Sequence, residues 1–284
     1  MQFFALILLL LIVSMHVCNS LTDDTNKDKK ETIDDVLQRV AGVFRDDGKP
    51  PKYPELAKTV IMTGCNHGFL NHLHNFKCFM DRLNMKFLVV ALDRKTHDYL
   101  KNNTTMETIF MNTDTTAGIS GESATFRSAQ FNLITARKKE AVHDVLELGY
   151  DVLFSDTDVA LVRDPFRYLL WQNVDYVHSL NQICDKEDHW TFRGSPKEEG
   201  NTGFYYVKSN KRTIKLWKKA YEAVPTMPGL DDQAVFWRVI RQSQDPPIVP
   251  IGTCKHYNDE ADQLYNKTPP NELVPLVTCV LDPC

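Results

Sequence analysis

The chain has 284 residues, with 33 Lys and Arg against 37 Asp and Glu (formal net charge −4), 43% hydrophobic and 25% charged residues. These ordinary globular values exclude global disorder, and the lack of a net positive field argues against a nucleic-acid partner. With 12 Gly, 14 Pro and no internal repeat, collagen-like, low-complexity and solenoid classes are excluded as well.

Residues 3–13 read FFALILLLLIV, an uncharged apolar run followed by Cys18 and Ser20 at signal-peptidase −3 and −1 positions. Residues 1–20 are therefore read as a secretory signal peptide. The alternative is a short signal anchor, but the run falls below the ~20 residues needed to span a bilayer and has no basic flank. A membrane is a partner only if that segment is retained. Sequons at Asn102, Asn103 and Asn266 fit a glycoprotein of the secretory pathway, in the Golgi lumen or secreted. Removing Cys18 leaves Cys65, Cys78, Cys184, Cys254, Cys279 and Cys284, enough for three disulfides. Their spacing does not suit structural zinc.

Residues 21–55 read as a polar stem or linker, with an amphipathic helix over 32–44 and a breaker at 46–54 (DDGKPPKYP). Residues 56–284 suit one α/β domain. Strands are expected over 58–63 (KTVIMT), 86–92 (KFLVVAL) and, more weakly, 108–111, with a helix over 68–83 between the first two. A polar loop, 113–123, precedes a long helix over 124–148. Strands over 151–155, 175–179, 204–207 and 248–251 and helices over 211–223 and 231–241 follow. Apolar strands separated by helices predict a mostly parallel sheet with helices on both faces, a Rossmann-like arrangement. Ligands in such sheets gather at the carboxyl ends of strands.

One such end is acidic. Val152–Ser155 runs directly into Asp156-Thr157-Asp158. Two carboxylates at the end of a buried strand need positive compensation. A hard divalent cation such as Mn²⁺ or Mg²⁺, bridging a diphosphate, supplies it. The bland alternative is a turn in which the carboxylates accept backbone N–H groups.

The run Lys138–Phe166 (KKEAVHDVLELGYDVLFSDTDVALVRDPF) resembles the centre of the nucleotide-diphospho-sugar transferase family. So do residues 84–100, the segment GNTGFYYVK at 200–208 and the hexapeptide DDQAVF at 231–236. The resemblance covers roughly 59–251, in the family's order. It implies a single catalytic domain of GT-A fold and retaining galactosyl-, xylosyl- or arabinosyl-type transfer. The donor is a nucleotide sugar, foremost a UDP-sugar, and the acceptor is a glycan or glycoprotein.

Periodicity puts Lys138 on the apolar face of its helix with Ile134, Val142 and Val145, where a buried ammonium needs an anion. It is expected to meet the donor phosphates or the Asp156–Asp158 pair; otherwise its stem snorkels to water. Arg137 and Lys139 read as solvated flanking charges. The resemblance implies that Asn201 reaches the donor sugar, that Asp232 orients the acceptor hydroxyl and that Gln233 stabilises the developing sugar cation. Asp231 doubles as a helix N-cap. His256 is implied as a third metal ligand with Asp156 and Asp158; the alternative is a loop histidine beside a disulfide at Cys254. Gly64, Asn66 and Asp93, at the ends of the first two strands, are expected to meet the nucleotide. His67, His72 and His74 lack ligand spacing and read as non-ligands. Two rival classes stay in view, a glycan-binding pseudoenzyme on the same scaffold and a DxD phosphatase.

Overall fold

The computed structural model describes residues 31–45, 52–110, 119, 121–125, 128–169, 174–180, 200–254 and 276–281. Its elements, in chain order, are α1 (Ile33–Val40), β1 (Thr59–Cys65), α2 (Leu70–Arg82), β2 (Leu88–Ala91), α3 (Arg94–Asn103), β3 (Glu107–Phe110), α4 (Ala129–Glu147) and β4 (Asp151–Ser155). Then come α5 (Phe166–Leu169), β5 (Tyr176–Leu180), β6 (Gly200–Val207), α6 (Lys211–Ala223), α7 (Asp232–Gln242), β7 (Ile248–Thr253) and β8 (Leu276–Val280). The strands form one sheet in the order β3-β2-β1-β4-β6-β5-β8-β7. All of its pairings are parallel except those of β6 with β4 and β5. The expected α/β sheet is thus present. The direction of β6 and the existence of β8 carry no signal in the sequence.

β1 is central because every one of its residues is buried and it pairs on both sides. Its alternate residues face different layers. Ile61 and Cys65 join Val89, Leu153 and Tyr206 in a core closed by Leu73, Phe76 and Met80 of α2 and by Phe166 and Leu169 of α5. On the other face Phe154 stacks on Tyr205, with ring centroids 5.3 Å apart. Tyr205 in turn meets Trp217 of α6, and Trp217 meets Phe236 of α7. Helices therefore cover both faces, as a sheet of continuous apolar strands requires.

Caps fix the helices that face the carboxyl ends of the strands. Ser128 accepts the Phe131 N–H at the start of α4, and Gly149, at φ +83°, turns the chain after its end. Asn210 and Thr213 form a reciprocal capping box on α6, and Asp231 accepts the Ala234 N–H at 2.8 Å to cap α7.

The chain divides into two units, Met1–Ile33 and Asp34–Cys284, and the sheet belongs wholly to the second. This shifts the expected stem boundary. Val36, Leu37, Val40 and Val43 are buried, the Gly42 N–H reaches Thr59 O, and Lys86 N–H reaches Val43 O. Residues 34–45 are part of the domain because their apolar face has a core to enter. Residues 1–20, the expected signal peptide, Asn266 and His256 lie outside the described residues. Among those described, no helix is long and apolar enough to cross a membrane. Asn102 and Asn103 are exposed at the end of α3. The expected trio of disulfides is reduced, since Cys65 and Cys78 are free thiols while Cys254 is disulfide-bonded.

Candidate active site

The reversed direction of β6 builds the site. Because β6 runs against β4, its first residues, Gly200–Gly203, arrive at the carboxyl end of β4 beside Asp156. The Asp156 N–H donates to Gly203 O at 2.7 Å. A Cβ on Gly203 would sit 2.7 Å from Asp156 Oδ2 and 2.9 Å from Asn201 Oδ1, so only glycine permits this approach.

Two adjoining pockets open here. The larger, about 390 Å³, is lined by Lys138, Lys139, Asp156, Asn201, Asp232 and Gln233, with Phe154 and Tyr205 among its apolar walls. The smaller, about 140 Å³, is lined by Gly64, Asn66, Phe69, Leu92, Lys138, Asp156 and Asp158, among others. Phe131, Thr135, Lys138 and Asp156 belong to both. They form the shared wall of one cleft.

Lys138 crosses that wall from α4. Its Nζ donates to Asp156 Oδ1 at 2.6 Å, and its side chain is 21% exposed. A Cβ on Gly64 would lie 2.9 Å from Lys138 Cγ, so Gly64 leaves room for the lysine stem over the end of β1. The Lys138 amine is thus paired with an acid rather than released to water. Burial lowers its pKa, but Asp156, Asp232 and Asp158 together hold it above the ordinary lysine value. Asp156 behaves oppositely. Burial pushes its carboxyl up, Lys138 pulls it down without cancelling that, and Asp232 and Asp158 add to the rise. Three carboxylates, Asp156, Asp232 and Asp158, thus act on the Lys138 amine at this junction.

The second acidic wall is α7. Asp232 Oδ2 accepts from Lys139 Nζ and, at 3.2 Å, from Thr202 Oγ1. Burial pushes this carboxyl up, but Lys139, with help from Lys138 and Thr202, brings it below the usual carboxylate range. Gln233 Oε1 accepts the Thr202 N–H at 3.3 Å, which turns the amide oxygen toward β6. The amide NH₂ is then the end left for a ligand.

Several of the residues singled out in the sequence are held by protein partners. Asp93 lines neither pocket; it caps α3, accepting from Thr96 N–H at 2.9 Å and Thr96 Oγ1 at 2.6 Å, and also takes His67 N–H at 2.9 Å. Asn66 is 2% exposed and donates to Glu122 O at 2.8 Å, tying the end of β1 to residues 121–125. Arg137 and Lys139 are not solvated. They are 3% and 4% exposed and pair with Glu140 and Asp232. His74 bonds Tyr99 Oη at 3.1 Å, and His72 packs beside Phe69.

For a metal, Asp156 and Asp158 offer two carboxylates on the lining of the smaller pocket, oxygen donors of the kind a hard divalent cation takes. The chain turns here, with Val159 N–H donating to Asp156 O at 3.2 Å, but among the described residues neither side-chain carboxylate accepts a backbone N–H. The one triad of described residues within metal-binding reach is His143, Asp144 and Glu147 on α4, and it lines neither pocket.

Residues 82–255, more than half of the chain, match the family model for nucleotide-diphospho-sugar transferases. The chain belongs to that family. The cleft, with both pockets and the Asp156–Asp158 pair, lies largely within the matched span; Gly64, Asn66 and Phe69 precede it. This nucleotide-diphospho-sugar transferase is 29% identical over 211 residues to a UDP-galactose:fucoside alpha-3-galactosyltransferase of Dictyostelium discoideum, covering 66% of the chain and 31% of that protein. It is 28% identical over 188 residues to the beta-arabinofuranosyltransferase RAY1 of Arabidopsis thaliana, covering 66% of the chain and 34% of that protein. It is also 27% identical over 126 residues to a UDP-D-xylose:L-fucose alpha-1,3-D-xylosyltransferase, MGP4, of the same plant, covering 43% and 33%. The chain thus spans about a third of the length of these three relatives.

Proposed function

We propose that this transferase moves a sugar from a nucleotide-diphosphate donor, foremost a UDP-sugar, to a hydroxyl of a glycan or glycoprotein, with retention of anomeric configuration. One observation supports the reading: the two pockets share a wall that includes Lys138 and Asp156, and this reading assigns that wall to the diphosphate between nucleotide and sugar. The nucleoside belongs to the smaller pocket, against Gly64, Asn66 and Phe69. The sugar and the acceptor belong to the larger pocket, where Asn201, Asp232 and Gln233 line the wall. Two of the relatives are named for transfer to a fucoside or to L-fucose, so fucosides head the acceptor panel.

In this mechanism Lys138 holds positive charge at the diphosphate throughout departure of the nucleotide. Asp232 Oδ1 accepts a hydroxyl hydrogen, and the Gln233 NH₂ donates to a sugar oxygen, fixing the reacting groups. The aromatic wall of Phe154 and Tyr205 lends a low-dielectric side to the site, which strengthens these polar contacts. Asp156 and Asp158, with His256 as third ligand, are proposed to hold Mn²⁺ or Mg²⁺, which supplies Lewis-acid neutralisation of the leaving diphosphate. The proposed place of action is the Golgi lumen or the cell exterior, on the strength of the residue 1–20 segment and the sequons.

The test is transfer of a labelled sugar from a panel of UDP-sugars to fucosides and other glycans, with product anomers read by NMR. Donor-dependent product of the same anomeric configuration supports the proposal. UDP binding with no transfer to any acceptor and no donor hydrolysis indicates a glycan-binding pseudoenzyme instead.

A further inference from the structure

α4 carries two consecutive lysines, and each takes a different carboxylate. Lys138 pairs with Asp156 just past β4, whereas Lys139 pairs with Asp232 at the start of α7. Lys139 is 4% exposed and Asp232 9%. An ammonium enclosed to this degree is stable only with an anion beside it. Its Nζ also lies 5.5 Å from the ring centroid of Phe236, whose π face favours the cation. Thr202 Oγ1 donates to the same oxygen, Oδ2, at 3.2 Å. One oxygen of Asp232 is therefore held from α4 and from β6 at once. Among the described residues, Oδ1 has no protein donor. All three residues line the larger pocket.

We propose that Lys139 is a positioning residue that fixes Asp232 by Oδ2 and so presents Oδ1 to a substrate hydroxyl. The inference rests on the reading of the cleft as a sugar-transfer site. A carboxylate free to rotate offers either oxygen over a range of angles. One pinned on both sides offers a single oxygen in a single direction, which is what alignment of a hydroxyl with a reacting carbon demands. Lys138 and Lys139 thereby divide the work. The first serves the diphosphate side of the cleft, and the second acts only through Asp232.

The experiment compares the full chain with K139M, D232N and the K139M/D232N double variant, reading kcat, UDP affinity by calorimetry and melting temperature. K139M is expected to lower kcat about 10- to 100-fold while UDP affinity stays within about twofold. The double variant is expected to lose no more activity than D232N alone, because the effect of Lys139 runs through Asp232. K139M should also melt lower, and adding D232N should recover part of the loss by removing an uncompensated buried charge. The proposal is overturned if K139M turns over at the wild-type rate, if UDP affinity falls in step with kcat, or if the two losses multiply. A wild-type chain that transfers no sugar overturns the functional reading instead. The melting-temperature cycle then decides alone: recovery in the double variant supports the coupling of Lys139 to Asp232, and independent, additive losses refute it.

Discussion

The smaller pocket is walled by Gly64, Asn66, Phe69 and Leu92, whereas the larger is walled by Lys139, Asn201, Asp232 and Gln233. The first is shaped by the end of a buried parallel strand and by a loop tied to it through Asn66 and Glu122. The second is assembled from three elements distant in sequence: α4, the reversed strand β6 and the N-terminus of α7. A flat group can be held by backbone and apolar surface alone. Orienting hydroxyls about a reacting carbon needs charged side chains held by other side chains. The difference implies that changes in the smaller pocket act on donor affinity and changes in the larger act on turnover.

Substitution of Asp158, which lines the smaller pocket beside the shared wall, should show the largest effect. Asp158 is exposed, so Asp158→Ala is expected to leave the melting temperature unchanged while transfer falls by about a hundredfold or more, as measured with labelled donor. Near-normal turnover would remove the proposed metal role. Gly203→Ala comes next. Its Cβ would press on Asp156 Oδ2 and Asn201 Oδ1, and displacing those groups by a fraction of an ångström is expected to cut kcat about 10- to 100-fold. Gly64→Ala is milder, because its new Cβ would meet the flexible stem of Lys138 rather than backbone. Donor KM should rise about threefold with kcat preserved. If Gly64→Ala lowers kcat and Gly203→Ala leaves it unchanged, the division between the pockets is wrong.

A further effect, on stability rather than turnover, lies away from the cleft at His178 in β5. Burial pushes its imidazole down to about 4, so the folded chain holds it neutral. The unfolded chain protonates it near the ordinary histidine value of about 6.5. Stability should therefore be intact above that value and fall with acid until about pH 4, where the folded state also protonates. Urea melts at pH 7 and pH 4.5 should show this loss, and His178→Gln should reduce it. An equal loss in both proteins would assign the acid sensitivity to other groups.

Much of the sheet is legible in the sequence because β1, β2 and β4 are short apolar runs, and burial on both faces requires that composition. α3 is not legible. Only Thr96 and Leu100 of its ten residues are buried, so no apolar period marks it. Asp93, at its start, caps it; an aspartate ending a strand looks the same whether it caps a helix or meets a nucleotide. The Asp156–Asp158 pair is visible because acids directly after a buried strand are conspicuous. Lys139 is not, since nothing local distinguishes a buried lysine from a solvated one. Its partner stands 93 positions away, and only the fold brings them together.

Calorimetric titration of UDP into the full-length chain, with and without Mn²⁺ and alongside Asp158→Ala, tests the central claim most directly. The account predicts binding to the wild-type protein that depends on Mn²⁺ and is lost in the variant. Equal binding with and without the metal, or no binding of UDP at all, would contradict it.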